Sequence, residues 1–125
     1  MRLVDTNIIL RWLLGDHREL SQTAEQLVDR AKNASLLVTD VVVAEIVYVL
    51  RATGRDRQQV SEALLLIGRM EAFKYENEEL IMKVIGLLTD TNLDFADCYL
   101  LAKARQEKLG LETFDKPLEK LYRLG

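Results

Sequence analysis

Four short apolar runs, Arg2 to Val4, Leu36 to Thr39, Ala72 to Tyr75 and Leu111 to Phe114, are separated by longer stretches of helical character. That alternation restricts the fold more than any other feature. Parallel strands need a crossover between them, so short apolar strands that alternate with helices imply an α/β protein with helices on both faces of a parallel sheet. The spacing between strands holds two helices more often than one. The expected helices run from Asn7 to Leu14, capped by the polar Thr6 and Asn7 and stopped at Gly15, and from about Glu19 to Lys32. Asp40 is placed to cap a third, which carries Glu45 up to Thr53 before Gly54. Further helices are expected from Arg57 to Met70, Glu78 to Leu88, Phe95 to Leu109 and Pro117 to Leu124, the last with proline in its first turn. The chain has 125 residues, 49% hydrophobic and 30% charged, with no repeat or linker, and reads as a single domain spanning 1–125.

Four carboxylates interrupt this pattern. Asp5, Glu45, Asp97 and Asp115 sit inside or beside apolar runs where an ordinary soluble fold places a hydrophobe. Glu45 is the only charge from Val41 to Leu50, and its helical neighbours are Val41, Val42, Tyr48 and Val49. No lysine or arginine reaches it along the helix. Asp97 repeats the situation in FADCYLLA, Asp5 follows Leu3 and Val4, and Asp115 follows Phe114. If buried without a partner, each group costs several kcal/mol, so the expectation is that something offsets the charge. In parallel sheets ligands collect outside the carboxyl ends of the strands. Asp5 and Asp115 fall just past the first and last expected strands, Glu45 lies on the helix leaving the second, and Asp97 opens another helix, so convergence at one end of the sheet is expected.

Each acid also has a plainer explanation. Asp5 or Thr6 caps the first helix, Asp115 caps the last, and Asp97 is a first-turn acid answering a capping Asp94. Glu45 is harder to explain this way, because it lies more than a turn inside its helix and terminus effects fade within the first turn.

An all-oxygen donor set suits a hard divalent cation such as Mg2+ or Mn2+, which lowers the pKa of a bound water and stabilises charge on a phosphate under in-line displacement. Metal-dependent phosphodiester hydrolysis follows. The lone histidine, His17, lies in a polar loop and reads as a solvated bystander, which leaves zinc and histidine acid catalysis without a candidate. The lone Cys98 excludes an internal disulfide and reads as a small core residue. Every apolar run is broken by a charge well before the roughly 18 residues that suggest a membrane span. No secretory signal follows Met1, and the expected compartment is the cytoplasm. A net charge of −3 argues against holding nucleic acid by bulk electrostatics, although Arg51, Arg55 and Arg57 form a local basic stretch. Its plainer reading is complementation of a helix C-terminus.

The segments VDTNIIL, VVVAEIVYVL, DFADCYLLAKA and ETFDKPLEKL resemble, in order and spacing across the whole chain, the PIN-domain nucleases, and most closely the VapC-type toxins of toxin–antitoxin pairs. The resemblance implies a three-layer α/β sandwich, a short parallel sheet of about four or five strands flanked by about six or seven helices. It also implies that Asp5, Glu45, Asp97 and Asp115 match the family's acidic quartet, with Asp5 and Asp97 the principal metal ligands and Thr6, Asn7 and Thr113 supporting polar positions. Mg2+- or Mn2+-dependent endoribonuclease activity on an RNA substrate, homodimerisation, and a small antitoxin whose tail crosses the active-site groove are implied in the same way. Pro117 departs from the pattern, standing where the family's last motif often has an acid or another polar residue.

Two other classes compete. A phosphoacceptor signalling domain predicts adjacent acids after the first strand, whereas Asp5 is followed by Thr6 and Asn7. A catalytically silent binding module keeps the fold and uses the groove for a protein partner. The helices Ile8 to Leu14 and Val41 to Leu50 are apolar nearly all round, which implies burial on several sides, and Trp12 is the aromatic best suited to an interface.

Overall fold

The computed structural model describes all residues, 1–125, and the chain divides into two compact units, Met1–Glu78 and Glu79–Gly125. The first holds β1 (Arg2–Leu3), α1 (Thr6–Leu14), α2 (Arg18–Arg30), β2 (Leu36–Val38), α3 (Asp40–Ala52), α4 (Arg57–Arg69) and β3 (Phe73–Tyr75). The three strands are parallel in the order β1-β2-β3. Arg2 stands opposite Leu36, and Leu36, Leu37 and Val38 stand opposite Phe73, Lys74 and Tyr75. Two helices fill each crossover, as the strand spacing predicts.

Local chemistry sets most of the boundaries. Gly15 ends α1 in the left-handed region at φ 61°, with its N–H on the Arg11 carbonyl, a conformation that a residue without Cβ adopts freely. Thr39, not the expected Asp40, caps α3: its hydroxyl accepts the Val42 N–H at 3.3 Å. Asp40 is instead tied to the end of β3, its N–H donating to Glu76 and its carboxylate accepting from Asn77. Asp56 and Gln59 form a reciprocal capping box at the start of α4. His17 is not a bystander. Its Nδ1 accepts the Leu20 N–H at 3.1 Å, so the imidazole caps α2. The basic stretch serves the end of α3, where Arg51 donates to the Arg55 carbonyl and Arg55 to the Thr53 hydroxyl.

The core of this unit is made by Ile9, Leu36, Val38, Val43, Ile46, Leu64 and Ile67. β1 is not the buried strand expected, since Arg2 and Leu3 are both exposed and burial begins at Val4. Nor is α3 buried all round: Val42, Val43, Ile46, Val47 and Leu50 face inward, while Val41 and Tyr48 are exposed. Trp12 packs edge-on against Phe73, with ring centroids 5.2 Å apart.

The second unit holds α5 from Glu79 onward (Glu78–Asp90), α6 (Phe95–Glu107) and α7 (Lys116–Leu124). Helices α6 and α7 run in the same direction. Asp97 and Asp115 interact at their starts, while at their ends Arg105 donates to the Leu121 carbonyl and the Tyr122 hydroxyl to the Leu109 carbonyl. The link between them must return along the full length of α6. That length is about 20 Å at 1.5 Å per residue, which a handful of residues spans only when extended. Leu111 to Phe114 therefore has a strand-like sequence, yet it is not a strand: the sheet has three members, and this segment pairs with none. Cys98 is fully buried. No helix is long and apolar enough to cross a membrane.

Tyr75 joins β3 to α4. Its buried hydroxyl donates to the Leu64 carbonyl at 2.6 Å, its ring lies against Gly68, and burial pushes its pKa up. Tyr75→Phe removes this one hydrogen bond and keeps the ring, so it is expected to lower stability by about 1 kcal/mol. A fall in the denaturant midpoint with an unchanged slope is the signature; an unchanged midpoint would mean that the bond contributes nothing.

Candidate active site

The acids of the second unit gather at the starts of α6 and α7. Asp94 caps α6, its Oδ1 accepting the Asp97 N–H at 3.0 Å, and Asp115 caps α7, its Oδ1 accepting the Leu118 N–H at 2.9 Å. The plainer explanation of both residues is thus realised, and each is placed at a helix end whose partial positive charge favours an anion. Thr113 fixes the approach to α7, since its hydroxyl accepts the Asp115 N–H at 3.0 Å. Pro117 falls in the first turn of α7, where the missing N–H costs nothing.

Asp97 differs from its neighbours. It is half-buried, and its side chain takes no part in capping. Its pKa is raised, first by burial, then by the charges of Asp94 and Asp115, and by a side-chain hydrogen bond to Asp94. With Asp90, Pro117 and Lys120, these three acids line a cleft of about 730 Å3. Sequence reading passed over Lys120 and Asp90. The available signal was the recurrence of Pro117, Leu121 and Leu124 at helical offsets, which marks the face of α7 that carries Lys120 toward the cleft.

Asp5 and Glu45 belong to the first unit. Asp5 occupies the N-cap position of α1 with extended backbone, yet its side chain makes no cap hydrogen bond. The capping explanation fails there and leaves an exposed, uncommitted carboxylate. Beside it, Thr6 is buried and its hydroxyl has no partner, and Asn7 is exposed in the first turn. Glu45 is exposed rather than buried, on the same face of α3 as Val41 and Tyr48, so the desolvation argument made for it from the apolar run does not apply. What stands is its lack of an ion pair, for every one of the salt bridges lies elsewhere.

The donor chemistry fits a hard cation in two respects. The acids are all carboxylates, and the pKa of Asp97 is raised by burial first and then by repulsion from Asp94 and Asp115, both of which a cation offsets. No group of three or more His, Cys, Asp or Glu is arranged to hold a metal ion. Mg2+ does not require such a cage, because it typically takes one or two protein carboxylates and completes its octahedron with water and substrate oxygens.

The chain matches the PIN-domain family over residues 2–124, a span that includes both units, and it belongs to that family. Among solved structures it is similar to VapC20 of Mycobacterium tuberculosis, a toxin that cleaves the sarcin–ricin loop, at 17% sequence identity over 97% of this chain and 95% of that one, with a TM-score of 0.45. So slight a likeness carries nothing further for this chain. No curated protein matches it.

The electrostatics of Asp97 have a measurable sign. An acid whose pKa is raised by folding binds its proton more tightly in the folded state, so ionised Asp97 opposes folding at neutral pH. That opposition fades as pH falls through the raised value toward the ordinary 3.8. Asp97→Asn removes the charge and keeps a donor for Asp94. It is expected to raise the melting temperature of the metal-free protein at pH 7, with a gain that shrinks on acidification and is absent below about 3.8. A melting temperature lower than that of the unsubstituted chain at pH 7 would assign Asp97 a structural role instead.

Proposed function

We propose that this PIN-domain protein is a Mg2+- or Mn2+-dependent endoribonuclease that acts as the toxin of a toxin–antitoxin pair. The observation that carries the nuclease reading is the gathering of Asp94, Asp97 and Asp115 at two helix starts lining one cleft, with the pKa of Asp97 raised by burial first and then by its two acidic neighbours. The toxin assignment rests on the ordered segments VDTNIIL, VVVAEIVYVL, DFADCYLLAKA and ETFDKPLEKL, which resemble the VapC-type toxins throughout. With that assignment go a small antitoxin as partner, a homodimer, a cytoplasmic setting, and action of residues 1–125 as one nuclease domain.

In this reading Asp97 and Asp5 are the principal ligands, and Asp115 and Glu45 complete the quartet. When bound, the ion supplies charge against the scissile phosphate and lowers the pKa of the water that attacks phosphorus. The protein's own groups do the rest. The N-terminal ends of α6 and α7 present partial positive charge toward the cleft that Asp97 and Asp115 line. Capping holds Asp94 and Asp115 in fixed orientations, and Thr113 sets the turn before Asp115. Asp5, free of any cap bond, and Glu45, free of any ion pair, are not committed to another partner and so are available as ligands. Asp94, Thr6, Asn7 and Thr113 are supporting residues.

Incubation with single-stranded RNA is expected to give cleavage with Mg2+ or Mn2+ and none after chelation. Asp5→Asn, Glu45→Gln, Asp97→Asn and Asp115→Asn are each expected to reduce the rate by about a hundredfold or more. Full activity in any of these variants removes that residue from the site. RNA that is bound but left intact by the unsubstituted chain would identify a silent binding module.

A further inference from the structure

The second unit has a basic end as well as an acidic one. Arg105, Lys108, Tyr122 and Arg123 line a second cleft, of about 650 Å3, where α6 and α7 finish. A smaller groove between α5 and α6 connects the two. It is lined by Lys83, Gly86, Leu87, Asp90, Ala102 and Arg105, and so shares Asp90 with the acidic cleft and Arg105 with the basic one. Neighbours through these shared residues, the three depressions mark a path across the unit, with acids at its start and Lys83, Arg105, Lys108 and Arg123 beyond.

The basic groups are only lightly committed. Lys83 and Arg123 make exposed four-residue pairs with Glu79 and Glu119, the class of ion pair worth at most about 1 kcal/mol and easily exchanged for another anion. Arg105 spends one nitrogen on the Leu121 carbonyl and retains the rest of its planar fork. Lys108 makes no ion pair, and it stands in the left-handed region at φ 56° as the C-cap of α6. Backbone conformation there favours glycine while the macrodipole favours a cation, and the lysine that stands there puts its charge at the cleft.

We infer that this path is a backbone track for single-stranded RNA, with the strand engaged at the acidic cleft and its phosphates held by Lys83, Arg105, Lys108 and Arg123 up to the basic end. The inference rests on the nuclease reading above and adds how the substrate is held. Asp97 and Lys108 bracket α6, roughly 16 Å apart at 1.5 Å per residue, which is about five nucleotides at the stacked spacing of about 3.4 Å. Tyr122 adds an aromatic face of the kind on which a base stacks.

The test is fluorescence anisotropy with labelled RNA under chelation, so that nothing is cut, using one strand of about twenty nucleotides and one of about four, too short to span from the acidic cleft to the basic end. Lys108→Gly removes the charge at a position that suits glycine, so its melting temperature is expected to match or exceed that of the unsubstituted chain. It is expected to weaken binding of the long strand about fivefold and to lower the salt-dependence slope by about 0.7, the value for one lost single-strand phosphate contact. The short strand, which cannot cover the four cations at once, is expected to bind more weakly than the long one and with a smaller salt-dependence slope. Lys83→Ala is expected to act in the same direction as Lys108→Gly. Unchanged long-strand affinity and slope in both variants would overturn the track, as would an oligoglutamate of equal charge binding as tightly as RNA, which would assign the path to an acidic peptide. Metal-dependent cleavage that persists while the variants bind normally removes only the track. Lys108-dependent binding by a chain that cuts no RNA removes only the nuclease reading.

Discussion

The burial of one carboxylate beside two others, at the starts of two helices, is the constraint on which the second unit turns. Asp94 and Asp115 are tolerated there because each completes a helix end: a cap contributes about 1 kcal/mol, and the aligned peptide dipoles favour negative charge at that position. Asp97 shares the dipole of the first turn but completes no cap, and its half-buried carboxyl is desolvated and faces two other acids. The unfavourable energy is therefore concentrated on one residue. A cation that relieves it acts chiefly through Asp97, which makes the cap residues a rigid frame and Asp97 the responsive group.

Much of this frame was legible in the sequence, because it is written in local rules. Gly15, Asp94 and Asp115 mark helix ends by conformational preference or by hydrogen bonds to residues three positions away, and none of these depends on the rest of the molecule. The failures come from properties that a local pattern does not contain. Leu111 to Phe114 has strand composition and extended geometry, but a strand also needs a hydrogen-bonding partner, which the segment does not name. Glu45 stands in an apolar run, but burial follows helical phase. The inward face is filled by Val42, Val43, Ile46, Val47 and Leu50, and Val41 and Tyr48 share the exposed side with the acid. An apolar residue on a helix does not by itself show that its position is covered.

Asp5 and His17 show the same limit from opposite directions. Asp5 has the residue type and the backbone of an N-cap, and its carboxylate still declines the bond. His17 was set aside for lying among polar residues, and its ring nitrogen makes the cap that the sequence rule assigns to serine, threonine or aspartate. Capping preference fixes where a helix begins more firmly than which atom satisfies it. For the candidate site the consequence is useful, because the acid that the rule would have consumed is the one left free.

The placement of charge in the second unit also bears on how a protein of net charge −3 would engage a polyanion along the proposed track. Acids at helix starts and bases at helix ends are what the macrodipole favours on its own, so parallel α6 and α7 place both acidic caps at one end and Arg105, Lys108 and Arg123 at the other. At physiological ionic strength charges are screened over about 8 Å, and the two ends of α6 lie about twice that distance apart. Neither end cancels the other. A strand of nucleic acid meets the local potential rather than the net charge, so the acidic end retains its demand for a cation while the basic end attracts phosphate. In the proposed nuclease, the same helix directions that satisfy the backbone would separate the place where a phosphodiester is attacked from the place where its neighbours are held.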